Sequence, residues 1–171
     1  TGAHDAMLVG TAGLAAGLSV QELLDAGVSP SDGPVLVTGA TGGVGSCAVA
    51  ILAGIGFSVT ALTRKPDGER MLKSLGAREV ISPDELGLES SRPMEKSRWA
   101  AVVDQVGGQV LEAAIRQTQY GGTITNCGMV AGNSISTSIF PFLLRAVRLI
   151  GVDTASAPMA KRMRVWQKFM G

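Results

Sequence analysis

The stretch Val35-Leu36-Val37-Thr38-Gly39-Ala40-Thr41-Gly42-Gly43-Val44-Gly45 decides the reading of the fold. Val35 to Val37 is apolar at every position, as a strand buried on both faces must be. Gly39, Gly42, Gly43 and Gly45 follow at once, and Val44 to Gly54 reads as a helix faced with small residues. In a strand–loop–helix turn of this kind, Gly42 lets the backbone approach a pyrophosphate, where a β-carbon would intrude. Gly45 lets the helix pack tightly on the sheet, and the free N–H groups at the helix start face negative phosphates. Ala40 stands at the first glycine position of the G-x-G-x-x-G fingerprint, so the match is to a variant of the dinucleotide-binding turn.

Working outward, Asp5 to Gly27 reads as a helix, with Met7, Leu8, Leu14, Leu18, Leu23 and Leu24 as apolar contacts and Gly27 as its C-terminal cap. Pro30 to Gly33 is a turn. Downstream, strands are expected at Ser58–Leu62, Glu79–Ile81, Ala100–Asp104, Thr123–Cys127 and Leu149–Val152. Helices are expected at Gly68–Leu75, Gln109–Thr118, Phe140–Ala146 and Met159–Met170, with an irregular polar stretch over Pro83–Ser97. Six short strands alternating with helices predict an α/β Rossmann fold. Its sheet is doubly wound, parallel and six-stranded, in the order 3-2-1-4-5-6, within a single domain spanning residues 1–171.

Composition narrows the function classes. A length of 171 residues suits one domain, and 46% hydrophobic against 17% charged residues argues against disorder. A net charge of +1 without Lys/Arg runs gives no footprint for nucleic acid. No apolar stretch is long enough to predict a membrane span. Cys47 and Cys127 are too few for a disulfide framework, and with His4 as the single histidine a Cys/His metal site is not expected. Thr1 is not a methionine and no signal peptide is recognisable, so a cytoplasmic location is the expectation and the chain reads as a piece of a longer one.

The end of the second strand carries the next signal. Folds of this type that bind NAD place an acid about 20 residues past the glycines to hold the ribose 2′-hydroxyl. Here the strand runs into Thr63-Arg64-Lys65, a hydroxyl and two cations, which suits the 2′-phosphate of NADP(H).

At larger scale the chain resembles the nucleotide-binding half of the medium-chain dehydrogenases/reductases. Within that family it is most similar to the zinc-independent, quinone-oxidoreductase-like branch that contains the NADPH-dependent acrylyl-CoA reductase group. The residues that carry the likeness include Gly10-Thr11-Ala12-Gly13, Val37 to Ser46, Leu72-Lys73-Ser74-Leu75-Gly76-Ala77 and Ser91-Arg92-Pro93-Met94-Glu95-Lys96. Further on they are Tyr120-Gly121-Gly122, Asn126-Cys127-Gly128, Pro141 to Arg145 and Gly151-Val152-Asp153. The resemblance implies that Thr41, Gly42, Gly43 and Val44 line the pyrophosphate, and that Thr63, Arg64 and Lys65 hold the adenosine ribose phosphate. It puts Arg92 near the adenosine end, Met129 against the nicotinamide, and Leu143 and Thr154 near its carboxamide. It also implies reduction of an enoyl-CoA, quinone or other conjugated carbonyl, with the family's GroES-like catalytic domain absent from this chain.

Other readings compete with these. Thr38, Gly39, Gly43 and Gly45 also satisfy the T-G-x-x-x-G-x-G pattern of short-chain dehydrogenases, but their Tyr-x-x-x-Lys fails, because Ile124 stands four residues after Tyr120. A non-catalytic NADP(H)-binding sensor or assembly module is the alternative to a reductase, since no motif here places a catalytic group. Arg92 could equally be a surface arginine, and Met129 and Leu143 could be core packing. Cys47 and Cys127 read as packing, Asp104 as a loop-capping residue, and Tyr120 as an anchor for the turn before strand five. The sixth strand, at a sheet edge, could pair between subunits in a homodimer.

Overall fold

The computed structural model describes residues 3–169, with side chains from Gly10 onward. The expectations on His4, Met7, Leu8 and Met170 as side chains therefore lie outside the described residues. The chain runs α1 (Ala3–Asp25), β1 (Val35–Val37), α2 (Gly43–Gly54), β2 (Val59–Leu62), α3 (Glu69–Ser74), β3 (Glu79–Ile81), β4 (Trp99–Asp104), α4 (Gly108–Gln117), β5 (Thr118–Asn126), α5 (Phe140–Arg145), β6 (Arg148–Gly151) and α6 (Met159–Phe169). All six strands join one parallel sheet in the order β3-β2-β1-β4-β5-β6, the order expected from the alternation of elements.

The sheet is sandwiched because successive strand residues face opposite ways. Val35, Val37, Val59, Ala61, Ala101 and Val103 pack into one apolar cluster with α1, α2 and α3. Leu36, Val102 and Ile124 face the other side, where Val110, Leu111, Ala114 and Ile115 of α4 cover them. This is why β1 has no polar position: α2 lies on one face and α4 on the other. The terminal helix α6 seats Val165 against Leu14 and Leu18 of α1, at a place where Gly17 leaves room for the valine.

Two expectations need correction. Strand five starts at Thr118, five residues before the alternating apolar pattern begins, with an irregular pairing between Trp99 and Ala101. Thr118 pairs with Trp99 and the ladder resumes at Ala101 and Thr123, so Gln119 to Gly122 lie in the irregularity between, which leaves no apolar signature in the sequence. Tyr120 anchors nothing: its side chain is 76% exposed. The turn is held instead by Gln119, whose Nε2 donates to the Asp32 carbonyl at 2.9 Å, and by Arg148, whose Nη2 donates to the Gly121 carbonyl at 3.2 Å. The polar stretch after β3 is irregular apart from a short 3₁₀ turn at Asp84–Leu86, which buries Leu86. Among the described residues, no helix is long and apolar enough to cross a membrane.

Candidate functional site

A parallel sheet of this order leaves a crevice where its strand order reverses, between β1 and β4 at their carboxyl ends. There a cleft of about 440 Å³ opens, with the glycine turn on one side and the exits of β4 and β5 on the other. The glycine turn is shaped by close backbone packing. Gly39 has φ +55°, and the Ala40 amide donates to the Leu62 carbonyl at 3.0 Å, which ties the turn to the end of β2. A β-carbon on Gly45 would lie 2.5 Å from the Gly39 oxygen and 2.7 Å from the Ala40 Cα, so α2 can start this close to β1 only with glycine there. Gly42 is the N-cap of α2 and offers no side-chain cap, so the first-turn N–H groups have no partner in the helix, and Gly42 to Gly45 line the cleft.

The floor is held by a buried polar network. Asp104, at the end of β4, is fully buried and accepts from Thr38 Oγ1 at 2.7 Å, Asn126 Nδ2 at 2.7 Å and the Gly107 amide at 3.0 Å. These bonds tie the exits of β1, β4 and β5 together. Asp104 thus serves loop geometry, as its place in the sequence suggested.

Most residues expected around the pyrophosphate and the adenosine end do converge here. Gly42, Gly43, Val44, Thr63 and Arg64 all line the cleft. Thr41 shares a hydrogen bond with Thr63 at 3.1 Å between the two hydroxyls, and Gly68 packs on its methyl group. Thr63 is buried and its oxygen also receives the Lys65 amide at 3.1 Å, so it shapes the strand end. Arg64 and Lys65 are exposed, and both line an adjoining depression with Pro66, Ser82 and Pro83. Among the described residues, neither takes part in a salt bridge.

The remaining expected residues do not line this cleft themselves, although Met129 stands between Gly128 and Val130, which do. Arg92 is exposed in the loop before β4, where its amide donates to Ser90 Oγ at 3.3 Å. Met129 and Leu143 are 68% and 70% exposed, which excludes core packing as their role. Thr154 is half-buried, and its carbonyl accepts from Arg162 Nη2 at 3.0 Å. Reading from motifs missed Gln105, Val106 and Val110 after β4, and Gly128, Val130 and Ala131 after β5, all of which line the cleft. The signal that could have found them is their position just past the carboxyl ends of central strands.

Cys127 also lines the cleft. Burial pushes its thiol above the ordinary range, an effect the Ser19 hydroxyl partly offsets and the nearby Asp104 reinforces. Cys47, packed beside the core on α2, is likewise raised by burial. A larger groove of about 850 Å³ lies at the amino ends of the strands, against Pro34, Ser58 and Trp99. No α-helix starts there, whereas α2 starts at the smaller cleft, whose lining includes Gly42, Gly43, Val44 and Gly45.

Comparison with known proteins agrees with this geometry. The chain is 46% identical over 168 residues to the probable acrylyl-CoA reductase AcuI of Escherichia coli K12, matching 98% of this chain and 51% of that protein. It superposes on the yhdH oxidoreductase from Salmonella enterica, solved in complex with NADP, with a TM-score of 0.92 and 47% identity over 95% of this chain and 50% of the other. Bacillus subtilis yhfP, solved with NAD bound, gives a TM-score of 0.93 and 42% identity over 96% and 50%. The chain thus spans about half the length of the relatives it matches. A family model described as zinc-binding dehydrogenase matches residues 43–168. Among the described residues, no three His, Cys, Asp or Glu side chains converge to hold a metal ion, so these residues do not fit zinc despite the family's description. With the match running from the glycine turn to the terminal helix, the chain belongs to the zinc-binding dehydrogenase family.

Proposed function

We propose that this chain is the NADP(H)-binding domain of an oxidoreductase that reduces the conjugated double bond of an enoyl-CoA-type substrate, with quinones and other conjugated carbonyls as the wider class. The observation that carries the cofactor reading is the cleft itself. A glycine turn and an uncapped helix start face it, and Arg64 stands at its β2 side where a carboxylate would favour NAD. Residues Gly42, Gly43 and Val44 would hold the pyrophosphate through backbone N–H groups, and Arg64 with Lys65 would pair the 2′-phosphate. The nicotinamide half would then run over β4 and β5 towards Met129, with Leu143 and Thr154 farther along the same edge, and Arg92 flanking the adenosine side. Bound NADPH would supply the hydride. The chain's own contribution is to bind and orient that cofactor and to exclude water from one wall of the cleft.

The substrate class is supported by the likeness to the acrylyl-CoA reductase relative. Among the described residues lining the cleft, we assign none to polarising a thioester carbonyl or delivering a proton. Those groups are proposed to lie in a GroES-like domain outside this chain, so that the chain alone binds NADPH without turnover. NADPH oxidation with acrylyl-CoA and with a simple quinone, by this chain and by a longer polypeptide carrying it, tests the proposal. Turnover confined to the longer polypeptide is expected. Comparable turnover by the chain alone would place the catalytic groups within these residues. NADPH binding without turnover in both would favour a sensor or assembly module.

A further inference from the structure

Gln105 follows β4 directly, and its side chain is a buried amide with no partner. The residue is 8% exposed, and among the described residues both Oε1 and Nε2 are buried without a hydrogen bond. Folded proteins satisfy nearly all such atoms, so an amide unpaired at both ends needs a reason. Its backbone is pinned. The Gln105 amide N–H donates to Thr38 Oγ1 at 3.3 Å, and Gly128 passes so close that a β-carbon there would lie 2.5 Å from the Gln105 carbonyl oxygen. Relief must therefore come from the side chain's own torsions, and the space beside it is the cleft that Gln105 lines. The amide sits next to the glycine turn: Nε2 lies 3.7 Å from where a β-carbon on Gly39 would stand.

We propose that Gln105 is a cofactor-positioning residue, its amide hydrogen-bonding the nicotinamide-side ribose of bound NADP(H). This rests on the NADP(H) reading of the same cleft. Arg64 marks the β2 side as the adenosine end, so the stretch over β4 takes the other half of the dinucleotide. A ribose offers two adjacent hydroxyls, each both donor and acceptor, and an amide presents one acceptor beside two donors. The two sets match, and neither requires a charge.

The test replaces the amide by apolar groups of similar volume, Gln105→Leu and Gln105→Met. Binding of NADPH and of 2′,5′-ADP, which carries only the adenosine half, is measured by titration calorimetry, and thermal midpoints are recorded without ligand. NADPH should weaken about tenfold, the loss of one or two hydrogen bonds. Binding of 2′,5′-ADP should stay within twofold, and the ligand-free midpoint should hold or rise. Unchanged NADPH affinity overturns the proposal, as does parallel weakening of both ligands or a large drop in the ligand-free midpoint. If the unaltered chain binds neither ligand, the NADP(H) reading fails first and takes this one with it.

Discussion

Gly45→Ala is the sharpest test of how the glycine turn is built. The added β-carbon would stand 2.5 Å from the Gly39 oxygen, 2.7 Å from the Ala40 Cα and 3.0 Å from the Gly39 carbonyl carbon. Ordinary non-bonded contact begins near 3.5 Å, so α2 or the turn must move by most of an ångström. All three neighbours are backbone, and Ala40 is tied to Leu62 by a 3.0 Å hydrogen bond, so nothing flexible can give way. Overpacking of this kind costs about 1–3 kcal/mol. Alanine's better helix propensity returns roughly 1 kcal/mol, leaving a net loss of about 1 kcal/mol. In a domain of this size that lowers the melting midpoint by about 2–4 °C. The same displacement moves the N–H groups proposed to hold the pyrophosphate, so NADPH affinity should fall about tenfold or more. Gly54→Ala is the control, because nothing lies within 4 Å of its would-be β-carbon. Urea denaturation and fluorescence titration of both variants decide the matter. If Gly45→Ala is as stable as Gly54→Ala and binds NADPH within twofold of the unaltered chain, the close-approach argument is wrong.

Two further outcomes are expected. The chain should bind NADPH at least tenfold more tightly than NADH, about 1.4 kcal/mol, and replacing Arg64 and Lys65 together by alanine should erase that preference while leaving NADH binding nearly unchanged; equal affinities in the unaltered chain would sink the 2′-phosphate assignment. Because only the thiolate reacts, the raised Cys127 thiol should alkylate more slowly than a free thiol at pH 8 and accelerate as pH climbs above the ordinary thiol range, and NADPH should slow it while sparing Cys47, which lies outside the cleft; mass spectrometry showing no protection at Cys127 would remove the β5 exit from the binding surface.

The strand order and the glycine turn were legible in the sequence because both rest on local patterns. An unbroken apolar strand such as Val35–Val37 can be buried only between two layers, and glycines at Gly42 and Gly45 sit where turn sterics demand them. The placement of Arg64 and Lys65 as exposed cations just past β2 was legible for the same reason: it lies in consecutive residues at a strand end. What the sequence could not supply was anything set by packing between distant segments. The early start of β5 comes from backbone pairing to β4, which carries no side-chain signature. The exposure of Tyr120, Met129 and Leu143 depends on what the tertiary fold leaves uncovered. Gln105 is a plain polar residue by sequence. Only the pinning of its backbone by Thr38, from 67 positions earlier, and by the close passage of Gly128 leaves it, among the described residues, an unpaired amide beside the glycine turn.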